Sequence, residues 1–185
     1  MLVTGIKSMP VYRPLQFDDS GKVHLAVARG AGGDALRRLA GAARACKVLY
    51  AAEAGADLTQ AVRAGSADVT VAASTAALLQ QLGHALASLP MGLRFYAAGD
   101  EDFLAEVSRV AELHGLDSAE MQCECVAPGA RRVYCVHCRT CNAAVSGAIA
   151  PCAGCGRKLL VRDHYSRRLA AFMGVMADAE TPGAA

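Results

Sequence analysis

The chain of 185 residues has room for one ordinary domain and a small additional module. Hydrophobic residues make up 54% of it, which excludes wholesale disorder, and the net charge of +2 argues against a nucleic-acid partner. No stretch has the apolar length of a membrane span, and the first 21 residues lack the apolar core of a secretory signal. We therefore expect a cytoplasmic protein that has no membrane partner.

Most of the chain alternates between strand-like and helix-like patterns. Residues 1–21 contain Pro10, Pro14 and Gly21 without a sustained period, and they predict an irregular N-terminal arm. Residues 22–127 predict an α/β domain, in which right-handed crossovers connect a parallel sheet with helices on both faces. The predicted strands are 23–28, 48–52, 68–72, 93–98 and 121–126, and the predicted helices lie at 34–43, 58–63, 74–89 and 100–114.

Short polar residues indicate where the predicted helices begin. Asp34, either Ser74 or Thr75, and Asp100 each precede an apolar helical stripe, and these residue types are typical N-caps. Gly115 follows the last stripe and predicts its end.

A glycine-rich turn, Gly30–Gly33, follows the first predicted strand and precedes a helix. This is where dinucleotide-binding folds place their phosphate loop. The spacing is not GxGxxG, however, and Asp34 would repel a phosphate group. The pattern therefore favours a plain tight turn over a nucleotide site.

Two CxxC pairs after the Pro128-Gly129 dipeptide predict a metal-binding ribbon over residues 131–185. Two intervening residues let both sulfur atoms of a pair face the same side, and two pairs supply the four ligands of a tetrahedral ion. Without a secretory signal, metal binding is favoured over disulfides for most of the eight cysteines. We predict zinc, with rubredoxin-like iron as the alternative; the predicted ligands are Cys135, Cys138, Cys152 and Cys155.

The remaining cysteines have other interpretations. Cys141 also lies in CxxC spacing with Cys138, but the aromatic Tyr134 before Cys135 suits a strand that leads into the first pair. Cys141 is thus an extra thiol or a substitute ligand. His137, inside the first pair, is predicted to face solvent. Three cysteines are predicted to be small buried apolar residues: Cys46, Cys123 and Cys125.

Three further segments complete the module. Residues 144–150 are predicted to form a short hairpin between the two cysteine pairs. Asp163–Arg168 contains the residue types of a hydrolytic triad, but adjacent positions cannot form one, so we interpret it as a solvated corner or a docking site. The apolar run 169–176 is predicted to pack against the main domain or a partner subunit.

The order of elements in residues 22–126 resembles the pyridine-nucleotide half of ferredoxin–NADP reductase-type flavoproteins. Val23–Leu36 corresponds to the first strand and glycine-rich turn of that family, and Tyr96–Leu104 to its Cys-Gly-Pro strand end and following helix. The Gly-Gly-x-Gly-x-Thr-Pro turn and the Cys-Gly-Pro motif are both absent. The resemblance implies a reductase-like fold, and the missing motifs imply that its nucleotide site is lost.

The segment from Cys135 to Gly183 resembles the C-terminal part of the small subunit of bacterial dimethylamine monooxygenases. The resemblance lies in the two cysteine pairs followed by Leu160–Arg168, Phe172–Gly174 and Asp178–Glu180. It implies a multi-subunit, NAD(P)H-dependent enzyme that uses oxygen to demethylate dimethylamine to methylamine and formaldehyde.

The same resemblance implies partners for this chain. A haem subunit and a flavin/iron–sulfur reductase subunit would carry the haem, the flavin and the NAD(P)H. This chain would act in assembly and docking and would contribute no catalytic residue.

Two other classes of function stay open. Iron in the ribbon would make the chain a rubredoxin-like electron carrier. A zinc ribbon could also bind nucleic acid or protein, although the predicted ribbon lacks an aromatic stacking face. The residues that favour this last class form a basic C-terminal region: Arg131, Arg132, Arg139, Arg157, Lys158, Arg162, Arg167 and Arg168.

Overall fold

The structure is a computed structural model that describes residues 10, 12–40, 46–53, 56–127, 131–166 and 168–178. The chain divides into two compact units, one comprising residues 11–128 and the other containing residues 129–185. The first unit therefore includes part of the segment predicted as an N-terminal arm. No helix within the described ranges is long and apolar enough to cross a membrane.

The first unit is a doubly wound α/β fold. Its five strands pair in parallel in the order β3-β2-β1-β4-β5, so the strand order reverses between β1 and β4. The predicted fold class is confirmed. Its elements are β1 (Val23–Arg29), α1 (Gly33–Ala40), β2 (Lys47–Ala51), α2 (Thr59–Gly65), β3 (Asp68–Ala72), α3 (Thr75–Ser88), β4 (Leu93–Asp100), α4 (Glu101–Leu113) and β5 (Met121–Ala127).

Alternating side chains divide the core of this unit into two layers. Leu25, Val27 and Phe95 pack with α3 and α4 on one face of the sheet, while Ala26 and Tyr96 pack with α1 on the other. Because both faces are covered, the central strands are nearly continuous apolar runs.

The helix starts agree with the sequence in two of three cases. The Ser74 hydroxyl accepts a hydrogen bond from the Ala77 amide at 3.2 Å, and the Asp100 carboxylate accepts one from the Phe103 amide at 2.9 Å. The N-cap predicted at Asp34 was wrong, because a 3₁₀ turn at Gly30–Gly32 leads directly into α1 at Gly33. Asp34 instead lies in the first turn of α1, where its negative charge interacts favourably with the positive end of the helix dipole.

The segment before β1 is irregular but packs onto the sheet. Leu15 is buried on the α1 face, and its amide donates to the Glu124 carboxylate at 2.8 Å. The Arg13 amide donates to the Cys123 carbonyl at 3.0 Å, and the Asp18 amide to the Tyr96 hydroxyl at 3.1 Å. These contacts hold the segment against β4 and β5, with Leu15 and Phe17 packed on the α1 face.

The second unit is a five-stranded mixed sheet. Its strands are β6 (Arg131–Cys135), β7 (Cys141–Val145), β8 (Ile149–Pro151), β9 (Lys158–Ser166) and β10 (Ala171–Met176), in the order β7-β6-β10-β9-β8. The hairpin predicted through residues 144–150 was wrong, because β7 and β8 lie at opposite edges.

The apolar run at 169–176 also has a different role from the predicted one. It forms β10 at the centre of this sheet, parallel to β6 and antiparallel to β9. Phe172 is buried there in the core of the unit and meets Tyr165 edge-on at 5.2 Å. The late apolar stretch is therefore an internal strand of the module's own sheet, whereas the sequence predicted a segment that packs against the main domain or a partner subunit.

Candidate metal centre

Four cysteine sulfur atoms converge in the second unit, and all lie within 4.8 Å of one another. The Cys135 and Cys155 sulfurs are 3.9 Å apart, and those of Cys138 and Cys152 are 3.5 Å apart. A tetrahedral ion with metal–sulfur bonds of about 2.3 Å holds its sulfur ligands roughly 3.8 Å apart, whereas a disulfide needs about 2.05 Å. The arrangement fits one tetrahedral metal ion and excludes disulfides.

The two CxxC turns have the same backbone geometry. The Arg139 amide donates to the Cys135 carbonyl at 2.9 Å, and the Gly156 amide to the Cys152 carbonyl at 2.8 Å. The residue that closes each turn has a positive φ, 66° at Arg139 and 72° at Gly156. Glycine adopts this conformation without strain at position 156, while the first turn uses an arginine.

The electrostatics of the four thiols are uneven. Burial raises the pKa of the Cys135 thiol to about 11, whereas a hydrogen bond with the Thr140 hydroxyl lowers the pKa of Cys138 to about 6. Burial also opposes ionisation of Cys152, but the backbone amides of Cys155 and Gly154 outweigh it and lower its pKa. A metal ion binding here must displace the remaining protons, so its affinity rises with pH.

The other thiols and the nearby histidine lie outside this cluster. Cys141 is exposed at the start of β7 and is not among the four clustered ligands. His137 is exposed, with its Nδ1 atom 3.2 Å from the Arg157 guanidinium. Cys46 is buried and Cys123 is partly buried, and burial raises their pKa values to about 12 and about 11. These two thiols are therefore poor nucleophiles at neutral pH.

The polar run on β9 does not form a catalytic constellation. Asp163 pairs with Arg131 at 3.6 Å, and His164 is exposed beside it. Arg131 also lies over the Phe172 ring, 4.9 Å from its centroid. Arg167 lies outside the described residues, whereas Arg168 is exposed.

An ion-pair network lies at the carboxyl edge of the α/β sheet, where the strand order reverses. Doubly wound folds bind their ligands in this crevice. Arg29, at the end of β1, pairs with Asp100 at the end of β4 and lies 3.5 Å from the Glu53 carboxylate. Its guanidinium carbon lies 5.3 Å from the Phe103 ring centroid. The positive charge of Arg29 is therefore already neutralised by the Asp100 and Glu53 carboxylates.

The charge balance of the network disfavours an anionic ligand. Burial acts to lower the pKa of Arg29, but its hydrogen bond and charge interaction with Asp100 outweigh burial and raise it. Two further acids, Glu101 and Asp102, occupy the first turn of α4. A phosphate in this crevice would meet acidic side chains where it needs donors.

The glycine-rich turn is closed by packing. The Tyr50 hydroxyl donates to the Gly30 carbonyl at 2.9 Å and accepts from the Leu58 amide at 3.0 Å. A methyl group at Gly32 would lie 2.2 Å from the Ala98 carbonyl oxygen. The turn thus needs glycine at position 32 for the close approach of two backbones.

We expect Gly32→Ala to destabilise the α/β unit by about 3 kcal/mol, because the added methyl meets a backbone atom that cannot rotate away. Urea unfolding followed by circular dichroism measures this. Gly83→Ala is the matched control, since its added methyl has only an ordinary contact, at 3.6 Å, and alanine favours the helix interior. Equal stability of both variants would contradict the packing argument.

Comparison with known proteins gives matches over both units. Residues 4–121 match the family model described as dimethylamine monooxygenase subunit DmmA-like, N-terminal domain, and residues 132–175 match the C-terminal domain model of the same family. The resemblance seen in the C-terminal sequence is confirmed and extends over the α/β unit.

One curated relative and two solved structures illustrate the similarity. The "Heme-dependent oxidative N-demethylase delta subunit" of Ectopseudomonas mendocina (strain ymp) is 40% identical over 109 residues, which are 59% of this chain and 62% of that protein. The chain thus matches less than two thirds of that relative's length. Phthalate dioxygenase reductase aligns with a TM-score of 0.47 and 14% identity, over 71% of this chain and 46% of that one. A ferredoxin reductase of carbazole 1,9a-dioxygenase (FAD apo form) aligns with a TM-score of 0.45 and 19% identity, over 62% of this chain and 34% of that one.

Proposed function

Because the chain belongs to the DmmA-like family of dimethylamine monooxygenase subunits, we propose that it is an assembly and docking subunit of such an enzyme. The enzyme would be an NAD(P)H-dependent monooxygenase that demethylates dimethylamine to methylamine and formaldehyde. Haem, flavin and NAD(P)H would reside on a haem subunit and a flavin/iron–sulfur reductase subunit. The name of the Ectopseudomonas relative, a delta subunit of a haem-dependent N-demethylase, supports this assignment.

The observation that carries the docking role is the outer face of the C-terminal sheet. The inner face of β6, β9 and β10 is a buried core, so the alternate residues point away from it. The outward-pointing residues of neighbouring strands lie directly opposite one another, and their side chains remain partly or largely exposed. On the edge strand β8, Ile149 lies opposite Leu160 and is 56% exposed. We define the outer face by its apolar members: Tyr134, Ile149, Leu160, Met173 and Val175.

An apolar face of this kind is unusual on a solvated sheet, where outward residues are normally polar. Arg162 lies on the same face, opposite Met173. Residues 129–185 as a whole contain eight lysines and arginines against three acidic residues. An apolar face that carries Arg162, in a unit with an excess of basic residues, fits an acidic protein surface with an apolar centre, and we assign that surface to another subunit of the oxidoreductase.

The proposed metal is zinc with a structural role, held by Cys135, Cys138, Cys152 and Cys155. Four thiolates without an open coordination position are typical of structural zinc. Zinc would join β6 to the turn before β9, which orders the sheet that carries the outer face.

The test is co-purification of the tagged chain from its native host, with haem and flavin absorption and mass spectrometry identifying the captured subunits. We expect Ile149→Glu to weaken capture of the haem or flavin subunit at least about tenfold, because it places a charge in an apolar interface. Leu113→Glu is the matched control, since Leu113 is also an exposed aliphatic residue, at 74%, but lies on α4. Equal capture of partner subunits by the two variants would exclude the outer face as the docking surface. Absence of both the haem and the flavin subunit from the captured material would overturn the proposed function.

A further inference from the structure

Asn142 is a buried polar side chain beside the four cysteines. It lies on β7 immediately after Cys141 and is 7% exposed. In the described part of the chain, His24 is the other buried polar residue. A buried amide is costly unless its donors and its acceptor are satisfied, so its hydrogen bonds show what it does.

The Asn142 amide connects the two cysteine turns. Its nitrogen lies 3.2 Å from the Val133 carbonyl on β6 and 3.4 Å from the Thr140 carbonyl after the first turn. Its oxygen accepts from the backbone amide of Ala153, inside the second turn, at 2.8 Å. The two carbonyls require a donor and the Ala153 amide requires an acceptor, so the orientation of the side chain is fixed.

The same nitrogen points at a proposed ligand. It lies 3.7 Å from the Cys152 sulfur, within range of an N–H···S hydrogen bond, and both atoms are buried. Four thiolates around a divalent cation leave a net charge of about −2 in a small volume. A donor that faces one sulfur offsets part of this charge and holds the ligand in position.

We propose that Asn142 is a positioning residue of the metal centre. It fixes the second cysteine turn through Ala153 and stabilises the Cys152 thiolate through its amide nitrogen. This inference rests on the proposed function of the four cysteines as metal ligands, and it adds a determinant of metal affinity that the CxxC pattern does not contain.

Zinc titration of the full chain against a chromophoric chelator tests the proposal. Asn142→Asp keeps an acceptor for the Ala153 amide but replaces the donor that faces Cys152 with a charged oxygen. We expect its zinc dissociation constant to rise about 10- to 100-fold, the usual effect of losing an outer-shell partner. Asn142→Ala serves as the second variant, because it removes both the acceptor for the Ala153 amide and the donor that faces Cys152. Cys141→Ser, at the exposed neighbouring position, should keep the parent affinity.

A spectroscopic readout separates positioning from general stability. In the cobalt-loaded protein, loss of a donor to one thiolate should shift the thiolate-to-cobalt absorption band in both Asn142 variants. An unshifted band together with a zinc affinity within twofold of the parent would overturn the inference. A parent chain that binds neither zinc nor cobalt would instead overturn the metal centre itself.

Discussion

Cys152→Ser should abolish metal binding and unfold the C-terminal unit while the α/β unit stays folded. Cys152 is 3% exposed and lies in the core of the second unit, so the substitution removes a ligand and leaves a polar hydroxyl in its place. Structural zinc contributes about 10–16 kcal/mol of apparent binding free energy in small zinc-finger peptides. Metal stoichiometry by elemental analysis should fall from one per chain to near zero, and thermal unfolding should lose one transition.

Cys141→Ser is the control for this experiment, because Cys141 is exposed and outside the cluster. It should retain one metal ion per chain. Full metal content in Cys152→Ser, or its loss in Cys141→Ser, would mean that the ligand set is different. The parent protein should be colourless with zinc bound; iron with thiolate charge-transfer absorption would make the ribbon an electron carrier instead.

Arg29→Met should destabilise the α/β unit by about 2–3 kcal/mol. The substitution leaves Asp100 and Glu53 close together without their shared cation, and removing one partner of a buried ion pair costs about 3–5 kcal/mol. The expected loss of stability is smaller than this because the Arg29 and Asp100 side chains are 14% and 24% exposed, so water still screens the pair. Denaturant unfolding monitored by circular dichroism measures it, with the exposed Arg63→Met as control.

The same variants test whether the crevice binds nucleotide. Fluorescence titration should detect no NADH or NADPH binding to the parent chain, since Arg29 is paired internally and the glycine turn is closed by Tyr50. Arg29→Met should not gain binding either, because it makes the crevice more acidic. A micromolar dissociation constant for the parent would return nucleotide chemistry to this subunit.

Local patterns in the sequence were enough to predict most of the α/β unit. The apolar runs at β1 and β4 and the caps Ser74 and Asp100 depend on neighbours within a few residues, so their identity is visible along the chain. The CxxC spacing likewise brings each pair of sulfurs together without reference to the rest of the fold. The four sulfurs that the spacing singled out converge within 4.8 Å of one another, and their role as metal ligands stays a prediction.

Long-range pairing was beyond these patterns. That Ala171–Met176 forms the central strand β10 depends on its pairing with β6, nearly forty residues earlier in the chain. The roles of Arg29 and Asn142 were also missed, because no local motif connects an arginine to an aspartate 71 positions away or an asparagine to a later cysteine turn. The sequence by itself determined the strand–helix alternation and the pairing of cysteines in CxxC turns, which follow from side-chain periodicity and from the spacing of the cysteines. Only the tertiary structure decided that Arg29 is paired with carboxylates at the carboxyl edge of the sheet, which face of the C-terminal sheet is left apolar and that Asn142 contacts both cysteine turns, because these depend on contacts between distant segments.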